Sequence, residues 1–379
     1  MMDTKIGIIT LHAVKNYGSV LQAFATQSFF EKHGCEVQII NYVRENCRPE
    51  NLYKTYGMGN PVKMILMAPT IHRWRHVFGD FCEQYLHLTN GIYTSEDDFT
   101  QLPLDADLYC TGSDQVWNSK WNRGILPPLY LSFVPDHKYK FAFSASFGQS
   151  RLGEDEANAT REYIRRYARI SVRESSAVEI LEEQYKYHGS VHILDPTLCL
   201  GADFWRKYAS KNRIKDNYIL VYNLNRSRAF DKYAVALSKK TGLKLVRFCT
   251  RYDQFYRPGK SMLVPEVFDF ISLIDNARYV LTDSFHATAF SMNMNTEPIC
   301  VYPAEFGGRL ESFLKLTNSE QRHIQSYEDF DVVNCPVDFN SVNRILMEER
   351  RKADLFVDGV LEDARNFYGK IDKETEIHG

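Results

Sequence analysis

The sequence predicts an α/β protein with two doubly wound parallel-sheet domains. Short apolar runs alternate with segments whose apolar residues recur at helical spacing, which is the pattern of strands joined by crossover helices. The pattern restarts after residues 200–216, where charge rises and Gly201 interrupts the chain. A length of 379 residues also exceeds what one hydrophobic core usually supports. Two domains with a cleft between them are therefore expected.

The first half of the chain opens with a βαβ unit. Strand 5–11 is followed by helix 18–32, which His33-Gly34 end, and by strand 36–42. Four further short strands are predicted at 107–111, 140–144, 169–172 and 191–194. We expect these elements to form an N-terminal domain over residues 1–200, with an inserted helical region at about 53–88 that breaks the alternation.

The second half repeats the same organisation. Strands are predicted at 217–223, 243–248, 279–282 and 298–302, and helices at 230–240, 267–276 and 284–294. These elements predict a C-terminal domain over residues 201–340. The charged segment that follows, residues 341–379, reads as a helical tail.

Composition and charge narrow the function classes. A formal net charge of -2 without a block of like charge leaves no basic footprint for nucleic acid. Eight cysteines occur singly, without a Cys-x-x-Cys pair, which favours reduced thiols over disulfides or structural zinc. The first ten residues predict a strand rather than a signal peptide, and no apolar run reaches transmembrane length. We therefore expect a cytoplasmic protein that binds neither nucleic acid nor a metal ion.

Parallel sheets bind ligands at the carboxyl ends of their strands, so residues that follow strands are the candidates for function. After the first strand, Asn16, Gly18 and Ser19 suit a tight turn that exposes helix-start amides to an anionic or hydroxyl-bearing ligand. Capping of the helix by Asn16 or Ser19 explains the same residues equally well.

The stretch TGSDQVWN, residues 111–118, follows another predicted strand. Ser113 and Asp114 offer hydrogen bonds to hydroxyl groups, and Trp117 offers a flat apolar face of the kind that stacks on sugar rings. The alternative is a strand-end turn with a core tryptophan. We favour a binding role because the polar residues cluster beside a glycine.

Two further junctions carry charge. Arg173 leaves a strand directly into a helix start, where its guanidinium can bind a carboxylate or phosphate, or pair on the surface with Glu174. In TDSFHATA, residues 282–289, His286 lies in the first turn of a helix, where the helix dipole acts on its imidazole. Asp283 and Ser284 are expected to cap the helix and orient this histidine. A single histidine is more often structural, but this position favours proton transfer.

The inserted region contains a basic and aromatic run at residues 64–81, MILMAPTIHRWRHVFGDF. This run can contact an anionic lipid-linked acceptor at a membrane face, or it can form an amphipathic helix with a solvated basic side. We favour the second interpretation. Its basic and aromatic residues are His72, Arg73, Trp74, Arg75, His76 and Phe78.

A series of motifs resembles the polysaccharide pyruvyl transferase family. In chain order these are NYGSVLQAFA, GSDQVWN, SFG, SVRE, DPTL, TDSFHATAFS and GGRLESFL, over residues from about 5 to 315. The resemblance implies two Rossmann-like domains in a glycosyltransferase-B-like arrangement. It also implies an enzyme that moves a pyruvyl group from phosphoenolpyruvate onto sugar hydroxyls as a ketal, with His286 as the catalytic histidine and Arg173 as an anion-binding arginine.

One position departs from the family. Several pyruvyl transferases carry Arg-Leu-His where this chain has Ser284-Phe285-His286, so a donor-binding arginine is absent there. Arg309, which follows Gly307-Gly308, is expected to supply that charge. The expected catalytic residues are then His286 and Asp283, and the donor would be bound by Arg173, Arg309 and Ser284. The acceptor would lie near Asn16, Tyr17, Gly18, Ser113, Asp114 and Trp117.

The resemblance implies phosphoenolpyruvate as donor substrate, with no cofactor or metal. The acceptor is expected to be a glycan or lipid-linked sugar of capsule, exopolysaccharide or cell-wall synthesis, reached at most by peripheral contact with the inner membrane face. Two alternatives stay open at the level of sequence. One is a glycosyltransferase that uses a nucleotide sugar on the same architecture, and the other is a non-catalytic glycan-binding relative.

Overall fold

The computed structural model describes residues 4–225, 227–303 and 307–378, with side chains as far as residue 370. Two parallel sheets organise this part of the chain. The first sheet has the order β2-β1-β3-β4-β5-β6. Its strands are β1 Thr4–Ile9, β2 Cys35–Ile39, β3 Leu108–Thr111, β4 Tyr139–Ala145, β5 Arg169–Val172 and β6 Val191–His192.

The second sheet is also parallel and has the order β11-β10-β7-β8-β9. Its strands are β7 Tyr218–Tyr222, β8 Lys244–Cys249, β9 Lys260–Leu263, β10 Tyr279–Thr282 and β11 Glu297–Cys300. Strands β7, β10 and β11 are buried at every position, as expected where helices cover both faces of a sheet. The predicted α/β class with two doubly wound parallel-sheet domains is confirmed.

Helices connect the strands and cover the sheets. In the first part of the chain they are α1 Tyr17–Lys32, α2 Leu52–Gly57, α3 Pro61–Trp74, α4 Phe81–Tyr85, α5 Ser119–Asn122, α6 Glu154–Arg165, α7 Ser175–Glu183, α8 Pro196–Cys199 and α9 Ala202–Arg206. The remaining helices are α10 Arg228–Thr241, α11 Val267–Asp275, α12 Phe285–Asn293, α13 Gly308–Leu316 and α14 Phe339–His378. A π-helical turn, Arg75–Asp80, joins α3 to α4, so residues 52–85 are largely helical.

Each sheet reverses its strand order once. The reversal lies between β1 and β3 in the first sheet and between β7 and β10 in the second. In open α/β sheets the crevice at such a switch point is the usual ligand site. The sheet topology therefore predicts a ligand site at the loops after β1, β3 and β10.

Helix α1 lies at the seam between the two sheets. It is buried around nearly its whole circumference, because one side covers the first sheet and the other contacts α8 and α11. At its start, the Tyr17 hydroxyl donates to the Pro265 carbonyl at 2.7 Å. The Tyr17 ring also packs edge-on against Phe248, with ring centroids 4.7 Å apart. Tyr17 is therefore a contact between the two halves of the chain.

Two further elements cross from one half to the other. The Trp74 indole of α3 donates to the Thr250 carbonyl at 2.9 Å. The 40-residue helix α14 begins against α12 and α13, and then passes along the first sheet, where Arg169 pairs with Asp363 at 2.5 Å. These contacts fix the cleft geometry. No helix in the described part of the chain is long and apolar enough to cross a membrane.

The seam gives a first prediction. Tyr17→Phe removes the hydroxyl that satisfies the buried Pro265 carbonyl, so we expect the free energy of unfolding to fall by about 1–3 kcal/mol. Tyr256→Phe, at a tyrosine that is 70% exposed, is the matched control and should change it by less than about 0.5 kcal/mol. Denaturant unfolding measures both variants, and equal stabilities would contradict this account of the seam.

Candidate active site

The helix starts of α1 and α12 meet at the cleft. Helix α12 follows β10 directly and is capped by Ser284, whose hydroxyl accepts from the Ala287 amide at 3.4 Å. This cap directs His286, in the first turn, towards α1. A methyl group placed on Gly18 would lie 2.1 Å from Nδ1 of His286. The imidazole therefore packs directly on the Gly18 backbone, and only glycine leaves room for it.

Asp195 is the carboxylate beside His286. Its Oδ2 atom lies 3.6 Å from Nε2 of His286 and accepts from Nη1 of Arg173 at 2.7 Å. Its Oδ1 atom accepts from the amide and the hydroxyl of Thr197, at 3.0 and 2.7 Å, because Asp195 caps α8. Burial alone would raise the pKa of Asp195, but the attraction of His286 and Arg173 and the Thr197 hydroxyl hydrogen bond lower it below the ordinary range.

Asp114 forms the other side of the same charge cluster. It adopts a left-handed conformation with φ of 72° after β3, and its carboxylate accepts from the Ser19 hydroxyl at 2.6 Å. Nη2 of Arg173 lies 3.5 Å from Oδ1 of Asp114. Burial raises the pKa of Asp114, but Arg173 and His286 more than offset this and lower it. Both carboxylates are thus held ionised around one guanidinium.

Arg173 is consequently an internal charge partner rather than a free anion-binding group. Its side chain is 1% exposed and lies between Asp114 and Asp195. Burial lowers the pKa of Arg173, but the two carboxylates and Glu174 raise it above its ordinary value. Donor binding by Arg173 stays a prediction, and in this structure its charge is balanced by the two carboxylates.

Arg309 is the guanidinium that faces the cleft. Its buried Nε atom has no hydrogen-bond partner among the described residues. Burial and repulsion from Arg173 lower the pKa of Arg309 to about 10. The guanidinium carbons of Arg309 and Arg173 lie 5.9 and 5.3 Å from the centre of the Phe285 ring. Arg309 therefore brings an under-compensated positive charge within reach of the His286 helix.

A cavity of about 1160 Å³ opens beside Arg309. Glu174 lines it, accepting from the Ser146 hydroxyl and the Gly148 amide through Oε1, while its buried Oε2 atom has no partner among the described residues. Trp121, 44% exposed, is also in the lining. The cationic side chains around the cavity are Arg44, Lys120, Arg123, Arg151 and Arg309. Such a lining favours an anionic ligand.

His286 itself lies behind this cavity. Its side chain is 11% exposed, and its buried Nε2 atom has no hydrogen-bond partner in the part of the chain that the structure describes. It is absent from the cavity lining, whereas Arg309 and Glu174 belong to it. Reaction at the imidazole therefore requires a shift of the domains or of the side chains between it and the cavity.

Several predicted site residues have structural roles instead. Asp283 is not the partner of His286, because its carboxylate accepts from the amides of Leu224 and Asn225 at 2.7 and 2.8 Å and so fixes the loop after β7. Burial raises the pKa of Asp283. Ser284 caps α12, as its position after β10 predicts. The catalytic role of Asp283 and the donor contact of Ser284 stay predictions, and in this structure both side chains are engaged in these internal bonds.

The predicted acceptor residues divide in the same way. Trp117 is 1% exposed and stacks with Tyr130 in the core, because a ring of aromatic side chains surrounds it. It offers no free face to a sugar. Asn16 caps α1 through the Gly18 and Ser19 amides, and Tyr17 contacts the other sheet.

The remaining acceptor candidates lie close to the cluster. Gly18 contacts His286 and Asp114 pairs with Arg173, as described above. The buried Ser113 hydroxyl oxygen has no hydrogen-bond partner among the described residues. The sequence analysis did not identify Asp195 as a site residue, although the motif DPTL, which begins with it, was noted. It also did not identify Trp121 or the cationic side chains that line the cavity together with Arg309. The proximity of Asp195 to His286 depends on how α8 meets α12.

The close contact at Gly18 gives a second prediction. Gly18→Ala must displace the imidazole of His286, so we expect a loss of about 1–3 kcal/mol in the free energy of unfolding and a changed NMR signal of that histidine. Gly153→Ala is the control, because a methyl group there meets nothing within 4 Å. An unchanged His286 signal in Gly18→Ala would show that the ring does not lie on this glycine.

Within the described ranges, no group of three or more His, Cys, Asp and Glu side chains is placed to hold a metal ion.

Comparison with solved structures shows which proteins share this fold. A protein from Listeria monocytogenes described as a UDP-N-acetylglucosamine 2-epimerase is 12% identical, with a TM-score of 0.53 over 91% of this chain and 95% of that one. The glycosyltransferase of kitacinnamycin is 11% identical, with a TM-score of 0.50 over 94% and 99%. These likenesses confirm the glycosyltransferase-B-like fold.

The sequence comparison is more specific. No curated protein sequence matches this chain significantly. The model of the polysaccharide pyruvyl transferase family, however, matches residues 16–305. This range holds the loops after β3 and β10, and with them Asp114, Asp195 and His286, whereas Arg309 lies beyond it. The chain therefore belongs to the polysaccharide pyruvyl transferase family.

Proposed function

We propose that this protein transfers the pyruvyl group of phosphoenolpyruvate to two hydroxyls of a sugar, forming a ketal during synthesis of a capsular, exopolysaccharide or cell-wall glycan. The observation that carries the proposal is the meeting of His286, Asp195 and two guanidinium groups at the cleft. Membership of the pyruvyl transferase family supports the reaction class.

The charges suit the proposed donor. Phosphoenolpyruvate carries a carboxylate and a phosphate, and both need positively charged or amide partners. Arg309 is the donor-binding residue in this scheme, because its charge is less fully balanced than that of Arg173. Arg123 and Arg151, at the cavity wall, extend the positive surface over the length of a doubly charged ligand.

His286 is the proposed acid. A protonated imidazole delivers its proton to the methylene carbon, the double-bond electrons form the new C–H bond, and positive charge develops at the adjacent carbon. A sugar hydroxyl then bonds to that carbon and gives its proton back to the imidazole. A second hydroxyl bonds to the same carbon as the C–O bond to phosphate breaks; phosphate leaves with the electrons of that bond and takes up the proton of the second hydroxyl. Asp195 stabilises the imidazolium and holds the ring in position.

The acceptor is proposed to bind in the cavity beside Arg309. Trp121 presents the exposed aromatic face that Trp117 does not, and Glu174 offers an unpartnered carboxylate oxygen to a hydroxyl. Gly18, Ser113 and Asp114 lie deeper, at the switch point of the first sheet, and are proposed to shape the floor of the site. We propose a cytoplasmic enzyme that requires no cofactor besides its donor.

Incubation of the purified protein with phosphoenolpyruvate and a panel of nitrophenyl and lipid-linked sugars tests the function. We expect phosphate release and a pyruvylated product in mass spectrometry. Thermal shift supplies a second readout, since a ligand that binds the folded state raises the melting temperature. Stabilisation by a nucleoside diphosphate but not by phosphoenolpyruvate would favour a glycosyltransferase. Stabilisation by glycan alone would favour a non-catalytic binding protein.

The acid role of His286 gives a third prediction. His286→Gln should lower kcat by about a hundredfold to ten-thousandfold, because loss of a positioned proton donor typically costs that much. His137→Gln, at an exposed histidine outside the site, should retain full activity. Phosphate release at saturating substrate measures both. Wild-type turnover by His286→Gln would remove the imidazole from the mechanism.

Substitution of the two arginines gives a fourth prediction, because each substitution should affect a different measured quantity. Arg309→Ala should raise the KM for phosphoenolpyruvate by roughly 10- to 150-fold, which corresponds to the loss of about 1.5–3 kcal/mol of charge-assisted hydrogen bonding. Arg173→Ala should lower the free energy of unfolding by about 3–5 kcal/mol, since two buried carboxylates lose their partner.

Steady-state kinetics and denaturant unfolding separate these effects. Arg165→Ala, at an exposed arginine on α6, is the control and should change neither quantity. A stable Arg173→Ala protein with weakened donor binding would restore Arg173 as the anion-binding group and overturn the assignment to Arg309.

A further inference from the structure

One side of helix α3 is apolar and exposed. Val62, Ile65 and Leu66 are 65%, 73% and 64% exposed, although residues of this kind are usually buried. Their spacing of three and four residues places them on one face of the helix. Met58, 78% exposed in the turn before α3, extends the same segment. Together these four residues are the apolar face of the insertion.

The opposite side of α3 is occupied. Met67, Ile71 and Trp74 are buried in the main core, and Arg73 pairs with Glu266 of the other half of the chain at 2.5 Å. The sequence interpretation of a helix with a solvated basic side is therefore incomplete. The helix exposes hydrocarbon at Val62, Ile65 and Leu66 in addition to basic side chains near both of its ends.

The surroundings of the apolar face carry positive charge. Residues 51–79 contain Lys54, Lys63, Arg73 and Arg75 but no aspartate or glutamate. Lys54 and Lys63 are exposed, and they lie on the same segment as the apolar face. An exposed hydrocarbon face flanked by lysines on a helix is the pattern of a segment that lies in the interface of an anionic bilayer.

A pair of exposed aromatic rings lies in the loop that contacts α3. Phe255 and Tyr256 are 66% and 70% exposed, with ring centroids 5.9 Å apart. The amide of Tyr252, three residues before Phe255, donates to the Thr70 hydroxyl of α3 at 3.0 Å. Aromatic side chains are enriched at the level of lipid headgroups, because one end of the ring is apolar and the other polar.

Helix α2 connects the insertion to the cavity. It supplies Thr55 and Tyr56 to the cavity lining, and it packs closely against α3. A methyl group placed on Gly57 of α2 would lie 2.3 Å from Cγ of Met64. The helix that carries the apolar face is therefore packed against a helix of the cavity wall.

We propose that the apolar face of the insertion docks on an anionic lipid bilayer, so that the sugar of a lipid-linked acceptor enters the cavity from the membrane side. This inference rests on the proposed function for the nature of the acceptor, and on the exposed residues alone for the docking. The uniform positive charge favours a bilayer over a second copy of this chain, because two copies would bring these lysines together.

Vesicle sedimentation tests the docking without any substrate. The full chain is mixed with vesicles of phosphatidylcholine alone, or with an equal part of phosphatidylglycerol. We expect the wild type to sediment with the anionic vesicles and much less with the neutral ones. Ile65→Glu/Leu66→Glu should weaken partition into anionic vesicles tenfold or more. Met347→Glu/Leu355→Glu is the matched control, because these α14 residues are 63% and 60% exposed.

Three outcomes would overturn the docking proposal. The first is a wild type that remains in solution with anionic vesicles, and the second is equal sedimentation of both double variants. The third is a dimer, detected by analytical ultracentrifugation without lipid, that Ile65→Glu/Leu66→Glu abolishes. Such a dimer would assign the apolar face to a second copy of the chain.

Turnover measurements distinguish failure of the docking proposal from failure of the proposed function. If the double substitution Ile65→Glu/Leu66→Glu impairs only docking, the variant keeps wild-type turnover of a soluble nitrophenyl sugar and loses turnover of a lipid-linked sugar. Absence of product from every acceptor in the wild type would reject the transferase instead.

Discussion

The buried charge cluster around Arg173 is the interaction on which the cleft depends. Asp114 and Asp195 lie in the loops that follow β3 and β6 of the first sheet. His286 lies in helix α12, which follows β10 of the second sheet. Removing such charges from water costs several kcal/mol for each ion, and close pairing must offset that cost. Arg173, Asp114 and Asp195 all belong to the first half of the chain, so these three charges pair within that half. The contact of His286 with Asp195 requires the second half, so the cluster is completed only when the two halves of the chain meet.

The cluster also sets the local balance of charge. Asp114, Asp195 and Glu174 are three carboxylates, whereas Arg173 and Arg309 are two guanidinium groups. Excess negative charge in a buried site is costly. A ligand that arrives with its own negative charge must accordingly be met by further cations, and the cavity wall supplies Arg44, Lys120, Arg123 and Arg151.

Much of the fold follows from the sequence because strands buried on both faces leave continuous apolar runs. Strand β10 and helix α12 were predicted within one or two residues of their observed bounds. Strand β9, Lys260–Leu263, was missed, since it lies at a sheet edge and its residues are partly exposed or exposed. Its amino-acid pattern therefore resembles a loop.

The site was predictable only in part, for a physical reason. The position of His286 follows from local order, because a residue in the first turn after a strand must lie at the carboxyl end of the sheet. Its partner does not follow from local order. Asp283 is three residues away and Asp195 is 91 residues away in sequence, yet the nearer aspartate binds Leu224 and Asn225 while the distant one faces the imidazole. Packing of α8 on α12 decides between them.

The serine at position 284 is explained by the same geometry. Its hydroxyl caps α12, and the cap holds the first turn that carries His286. An arginine side chain has no oxygen that can accept from the helix-start amides. A residue at this position can therefore supply either a positive charge or a helix cap, but not both. In this chain Arg309, at the start of α13, places its guanidinium 5.9 Å from the centre of the Phe285 ring. A positive charge therefore lies close to the first turn of α12 although the residue that caps this helix is uncharged, because a neighbouring helix carries that charge.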